Sequence, residues 1–195
     1  MINYKSFSKI NLYLNIINQR EDKFHNINSL VIALKFYDNI TFYASSKYQL
    51  TGDGIEIPYD NSNLITKAYK LMRSQCDTVQ EYAIHINKKI PIGAGLGGGS
   101  SNAATIINAL NNLWKLNYSN KKKEYIGSNI GSDVPFFIKG GVQIVEGVGE
   151  KLIKCKYNPL NEKVVLLVIP QIDISTKWAY RKVNKYLPNN KTHYK

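Results

Sequence analysis

The stretch Pro91-Ile-Gly-Ala-Gly-Leu-Gly-Gly-Gly-Ser-Ser-Asn102 restricts the chain more than any other part of it. Its five glycines, Gly93, Gly95, Gly97, Gly98 and Gly99, allow positive φ and close approach by another molecule, so the segment is shaped for contact. A helical pattern over 103–114 follows, with Ala103, Ile106, Ile107, Leu110, Leu113 and Trp114 on one face. Ser100, Ser101 and Asn102 stand where N-cap oxygens are expected. A glycine loop that opens a helix gathers N–H dipoles at one point and favours phosphate. A Walker A loop would end in Gly-Lys-Ser/Thr, but Gly99 runs directly into Ser100. Gly93, Gly95 and Gly98 satisfy G-x-G-x-x-G, yet no acidic residue lies near Tyr118, about 20 residues further on, where a dinucleotide fold needs one. The bland alternative is a glycine-rich surface turn, and such turns seldom lead into a capped apolar helix.

At 195 residues and 44% hydrophobic, the chain has material for one good core with at most a second lobe. No apolar run approaches the roughly 18 residues of a membrane span, and the first 25 residues lack the pattern of a secretion signal, so a cytoplasmic protein is expected. Cys76 and Cys155 show neither metal spacing nor a disulfide framework and read as structural. The formal charge of +12 favours anionic partners, but the lysines are scattered apart from Lys88-Lys89 and Lys121–Lys123, and no zinc finger or other nucleic-acid motif is present. Nucleotide binding and a solvated, lysine-rich surface both account for the charge.

Residues 5–17 alternate as a strand, with Ser8, Ile10, Leu12, Leu14 and Ile16 on one face and Phe7, Lys9, Asn11 and Tyr13 on the other. Lys9 and Asn11 therefore aim the same way. Gln19–Lys23 reads as a polar turn before Phe24, His25 and the apolar run 27–36. Asp38-Asn39 reads as a turn into the strand 40–44, and Thr51-Gly-Asp-Gly54 as a hairpin turn before 55–57. Asn61-Ser-Asn63 caps a helix with an apolar stripe of Leu64, Ile65, Ala68, Leu71 and Met72. The strand 81–87 then enters the glycine loop. Ser119 opens a helix that ends near Gly131, and Asp133 stands at the N-cap of a short one with Pro135 in its first turn. Strands are expected at 142–145 and 164–169, the second stopped by Pro170. A last helix over 177–187, capped by Ser175 or Thr176 and ended by Pro188, precedes a polar tail at 189–195.

Taken together, these pieces resemble the GHMP kinase superfamily of small-molecule kinases. Pro91-Ile-Gly-Ala-Gly-Leu-Gly-Gly-Gly-Ser-Ser matches the family's Pro-x-x-x-Gly-Leu-Gly/Ser-Ser-Ser motif. Ser8-Lys9-Ile-Asn11-Leu, Phe24-His25-Asn, Gly131-Ser-Asp133-Val-Pro-Phe and Glu146-Gly-Val-Gly-Glu150 are similar to members whose acceptor is a cytidine-diphosphate sugar alcohol. The resemblance implies an α+β fold, a mixed and largely antiparallel sheet packed with helices and similar to a ribosomal-protein domain. It implies ATP and Mg²⁺ as cofactors and a small-molecule partner, with neither membrane nor nucleic acid required.

By the same resemblance, Lys9 and Asp133 form the catalytic pair. Pro91, Ile92, Gly93, Ala94, Gly95, Leu96, Gly97, Gly98, Gly99, Ser100 and Ser101 bind ATP, with Lys88 and Asn63 near its adenosine. Asn11, Phe24, His25 and Tyr180 contact the acceptor, the two aromatic rings stacking on its base. Phe24 stands for a more usual tyrosine, Lys23 for a common glycine and Ser132 for a usual alanine. Residues 1–188 are expected to form the N-terminal, ATP-binding domain, with the family's ferredoxin-like C-terminal domain absent from the chain. An inactive nucleotide-binding remnant and a nucleic-acid-binding domain of the same fold remain open alternatives at this point.

Overall fold

The computed structural model describes residues 1–77, 79–170, 178, 179 and 182. Its described elements are β1 (Ile2–Gln19), β2 (His25–Ser45), β3 (Gln49–Gly54), α1 (Leu64–Arg73), β4 (Glu81–Lys88), α2 (Gly98–Leu113), α3 (Asn120–Ser128), α4 (Val134–Lys139), β5 (Val142–Gly147) and β6 (Lys151–Lys154). The chain forms two compact units. The first comprises Met1–Ile10 and Ala33–Gly140, and the second Asn11–Ile32 with the chain from Gly141 onward. The strands β1 and β2 pair with each other and contribute to both units.

In the first unit, Asn39–Ser45 of β2 pairs antiparallel with Asn87–Glu81 of β4, and β4 pairs in parallel with β3. Helices cover this sheet, α2 packing against α1, α3 and α4. The core is built from Ile40 and Phe42 of β2, Ile84 and Ile86 of β4, Ile65, Ala68, Tyr69 and Met72 of α1, and Ala103, Ile106, Ile107 and Leu110 of α2. These are alternate residues on the strands and residues three or four apart on the helices, so each element buries one face. In the second unit, Ile27–Ile32 of β2 pairs antiparallel with β5, and β5 with β6. The fold is α+β, with a mixed sheet and packed helices, as the sequence led us to expect. Among the described residues, no helix is long and apolar enough to cross a membrane.

Three sequence expectations are corrected. Asp38-Asn39 is not a turn: β2 runs unbroken through it, and the Asp38 side chain is fully buried, with its acceptors met by donors from β4 and α2. Thr51–Gly54 is not a hairpin turn but the end of β3, aligned in parallel with β4. The glycine at 52 serves close approach there, since a Cβ would lie 2.6 Å from the carbonyl oxygen of Ile86. Gly52→Ala is therefore expected to cost about 1–3 kcal/mol of stability by overpacking, measurable as a lower midpoint in denaturant unfolding. Third, 164–169 forms no strand, and Val164, Leu166 and Val168 are largely exposed. Apolar alternation yields a strand only where a neighbour completes the ladder and a surface covers one face, and this run has neither among the described residues. The expected helix over 177–187 and the tail at 189–195 lie outside the described residues, apart from helical positions 178, 179 and 182.

Candidate active site

The glycine loop follows the end of β4 at Lys88 and enters α2 at Gly98. Gly93, Gly95 and Gly97 take φ of 73°, 70° and 68°, the left-handed region expected of them. Gly97 is the N-cap of α2 and makes no side-chain cap, so the helix starts earlier than Ser100, Ser101 and Asn102 suggested, and these three lie inside its first turns. With no side chain hydrogen-bonded to it as a cap, this helix end can present its N–H groups to an anion. Gly98 and Gly99 are helical. A Cβ on Gly98 would collide with Ile90 Cγ2 and Lys88 Nζ at 2.8 Å. Leu96 is buried and anchors the loop, while Ile92 is exposed at its rim.

Lys9 sits against this loop. Its backbone N–H donates to the Leu96 carbonyl at 2.9 Å, and its Cγ would lie 3.1 Å from a Cβ on Gly97. The Lys9 ammonium is 3.8 Å from Asp133 Oδ2, with the lysine side chain 12% exposed and the aspartate 52%. Asp133 does stand at the N-cap of α4, but its side chain makes no cap hydrogen bond. The carboxylate is thus held by position and ion pairing, with an open side toward solvent. A separation of 3.8 Å exceeds a direct hydrogen bond and suits a pair that shares a third group.

Lys88 and Asn63 take other places than open contact positions. The Lys88 side chain is 4% exposed and donates to Asp38 Oδ2 at 2.5 Å. Burial pulls its pKa below the ordinary lysine value, and the Asp38 hydrogen bond and charge oppose that shift. Asn63 caps α1, accepting from the Ile65 N–H at 2.8 Å and donating to the Pro58 carbonyl at 2.6 Å.

Of the expected acceptor-binding residues, Asn11, Phe24 and His25 belong to the second unit. Asn11 donates to Ser29 Oγ at 2.8 Å, and Ser29 donates to the Tyr13 carbonyl at 2.6 Å. Phe24 is 64% exposed. It is presented by a turn in which Lys23 has φ of 67° and Asp22 Oδ1 accepts the Phe24 N–H at 3.1 Å. An aromatic face held at the surface by a tight turn is available for stacking. His25 begins β2, and Tyr180 lies outside the described residues. Sequence reasoning missed Asp38 and Phe137. Phe137 supports Gly97 from α4, its Cζ only 2.7 Å from where a Cβ would be.

Residues 63–141, from the α1 cap through the loop and Asp133, match the model of the GHMP kinases N terminal domain. The chain carries a GHMP kinase N-terminal domain. It is 40% identical over 184 residues to a 4-diphosphocytidyl-2-C-methyl-D-erythritol kinase of Thermodesulfovibrio yellowstonii, an alignment covering 94% of this chain and 63% of that one. To the enzyme of the same name from Clostridium tetani it is 38% identical, with 93% and 64% covered. A crystal structure of 4-(cytidine 5'-diphospho)-2C-methyl-D-erythritol kinase superposes with a TM-score of 0.75 at 30% identity, covering 93% of this chain and 64% of that one. The Methanococcus jannaschii mevalonate kinase, at 14% identity and a TM-score of 0.60, shares the fold. This chain spans just under two thirds of the length of the relatives named alike.

Proposed function

We propose that this GHMP kinase domain transfers the γ-phosphoryl group of ATP to the 2-hydroxyl of 4-diphosphocytidyl-2-C-methyl-D-erythritol, a step of the non-mevalonate isoprenoid route in the cytoplasm. The observation that carries the reading is the Lys9–Asp133 pair at 3.8 Å, with Lys9 bonded through its own backbone to the glycine loop and the carboxylate uncommitted as a cap. Relatives at 38–40% identity that bear this kinase's name support the choice of acceptor. Phe24, with its open ring face, supports a base-bearing acceptor over a bare sugar.

In this reading, N–H groups of the loop and of the first turn of α2 hold the β- and γ-phosphates. Asp133 accepts a hydrogen bond from the acceptor hydroxyl, aligns its oxygen on the γ-phosphorus and takes its proton as the new O–P bond forms. The bond from the γ-phosphorus to the β,γ-bridging oxygen breaks, and ADP carries away that electron pair. The Lys9 ammonium faces the negative charge that spreads over the transferring group. Asn11, Phe24, His25 and Tyr180 hold the acceptor.

A magnesium ion that travels with ATP takes most of its ligands from phosphate and water and needs only one or two protein carboxylates. Asp133, half-exposed beside the loop, fits that need, and no cluster of three or more His, Cys, Asp or Glu occurs among the described residues. Such an ion neutralises phosphate charge when bound.

Incubation with γ-labelled ATP and a panel of alcohols tests the proposal. Label should pass to the cytidine-diphosphate methylerythritol and not to mevalonate, homoserine or galactose. ATP binding with no transfer to any acceptor would instead identify a nucleotide-binding remnant.

A further inference from the structure

The kinase reading leaves one buried acid unexplained. Asp38 lies in the middle of β2 with no exposed surface, and its carboxylate receives four donors. Oδ1 accepts the backbone N–H groups of Lys89 at 2.7 Å and Ile90 at 2.8 Å, and Oδ2 accepts Lys88 Nζ at 2.5 Å and Asn102 Nδ2 at 2.8 Å. Lys89 and Ile90 stand at the entrance to the glycine loop, and Asn102 stands in α2 just past its exit. One carboxylate therefore closes the base of the loop from both sides. Asn102 uses its second N–H on Ser6 Oγ at 2.9 Å, and Ser6 donates to Ser101 Oγ at 2.8 Å. Ser6 is in β1, three residues before Lys9, so the same network reaches the strand that carries the lysine.

We propose that Asp38 is a positioning residue, a carboxylate clamp that fixes both ends of the phosphate loop and ties them, through Asn102 and Ser6, to the strand bearing Lys9. A loop rich in glycine has the largest conformational entropy to lose when it closes on a phosphate. Fixing its ends in the unliganded protein removes much of that cost and leaves the N–H groups already converged. Lys88 completes the clamp. Its ammonium lies directly beneath Gly98 at the positive end of α2, where a lone cation would be repelled, and Asp38 compensates both charges. A Cβ at 98 would meet both the Ile90 side chain and the Lys88 ammonium of the clamp. The carboxylate is saturated and enclosed, so it acts through the loop and touches no substrate.

The clamp deepens the kinase reading and is tested apart from it. Four variants are compared: Asn102→Ala; Asp38→Asn; Asp38→Asn combined with Lys88→Met, which leaves no unpaired buried charge; and Tyr69→Phe. The last removes a buried hydroxyl that donates to Glu81 and accepts the Tyr82 N–H, on a face of α1 that belongs to the core and not to the loop. Unfolding free energy, amide hydrogen exchange in the absence of ligand, and ATP affinity are measured for each.

In the clamp variants, exchange at amides 93–101 should quicken about tenfold or more and ATP affinity should fall by a similar factor, as expected for losing a buried hydrogen bond. Amides 82–86 of β4 should stay protected. Tyr69→Phe should lose stability while keeping loop protection and ATP affinity. Unchanged loop exchange in Asn102→Ala and in the double variant, or an equal loss of ATP affinity in Tyr69→Phe, would overturn the clamp. Should Asp38→Asn fail to fold, the other two clamp variants decide. If the clamp variants loosen the loop but wild-type protein binds no ATP, the clamp stands and the kinase reading falls.

Discussion

Asp133→Ala is expected to lower the turnover number for phosphoryl transfer by about 10³- to 10⁴-fold, the upper range for a positioned proton acceptor, while the affinity for ATP measured without magnesium changes less than about threefold. The separation follows from where the carboxylate sits. It makes no hydrogen bond to the α4 backbone, so removing it uncaps nothing and costs little stability. It lies 3.8 Å from Lys9 and is half-exposed, and in the proposed reading the loop N–H groups hold the phosphates, so magnesium-free nucleotide binding should survive. Asp133→Asn divides the role further, because the amide can still accept the hydroxyl's hydrogen bond but cannot take up its proton. If alignment supplies most of the effect, the asparagine variant keeps a large part of the rate. If proton transfer does, it falls as far as alanine. Steady-state kinetics with ATP titrated calorimetrically in parallel gives both numbers. A loss of ATP affinity matching the loss of rate would show that Asp133 serves the nucleotide and not the acceptor.

Gly97→Ala is expected to damage stability and the candidate site together. Its φ of 68° is strained for any residue with a Cβ, at about 1–2 kcal/mol, and the new atom would fall 2.7 Å from Phe137 Cζ and 3.1 Å from Lys9 Cγ. Both neighbours matter: Phe137 is wedged from α4, and Lys9 is the cation proposed to face the transferring phosphoryl group. Relief of the clash must move the helix N-terminus or the lysine, so stability, ATP affinity and turnover should fall together, stability by about 2–4 kcal/mol when strain and overpacking add. Gly95→Ala is the internal control. Its φ is 70°, but nothing lies within 4 Å of the added atom, so it should show the backbone strain alone. Denaturant unfolding of both variants beside wild type separates the two contributions. Equal losses would mean that the contact with Phe137 and Lys9 carries no weight.

The parts of the structure that the sequence disclosed are those whose signals are local. The apolar spacing of Ile106, Ile107 and Leu110 marked α2, Asn63 and Ser119 marked caps that the structure bears out, and clustered glycines marked a loop in which three of them take positive φ. The parts it concealed depend on partners far along the chain. Asp38-Asn39 carries the composition of a turn, and the donors that make Asp38 a core residue are 50 to 64 positions away. Thr51-Gly-Asp-Gly54 has the composition of a hairpin, and only the parallel pairing with β4, 34 residues on, shows that Gly52 is there for close approach. The run 164–169 shows the converse, since its apolar content is strand-like but no neighbour completes it among the described residues. Within the candidate site, Lys9 and Asp133 were legible through family resemblance, and their distance was not. No one-dimensional pattern could have shown that the Asp133 side chain leaves the α4 backbone uncapped, the observation on which its proposed role rests.

The most direct measurement is a map of backbone amide chemical shifts as a non-hydrolysable ATP analogue is titrated into the protein. The proposed function puts the phosphates on the loop and the first turn of α2, so the largest shifts should fall on the amides of 93–101 and of Lys9, whose N–H is bonded to the loop. Largest shifts elsewhere, with the amides of 93–101 unmoved at saturation, would contradict the account.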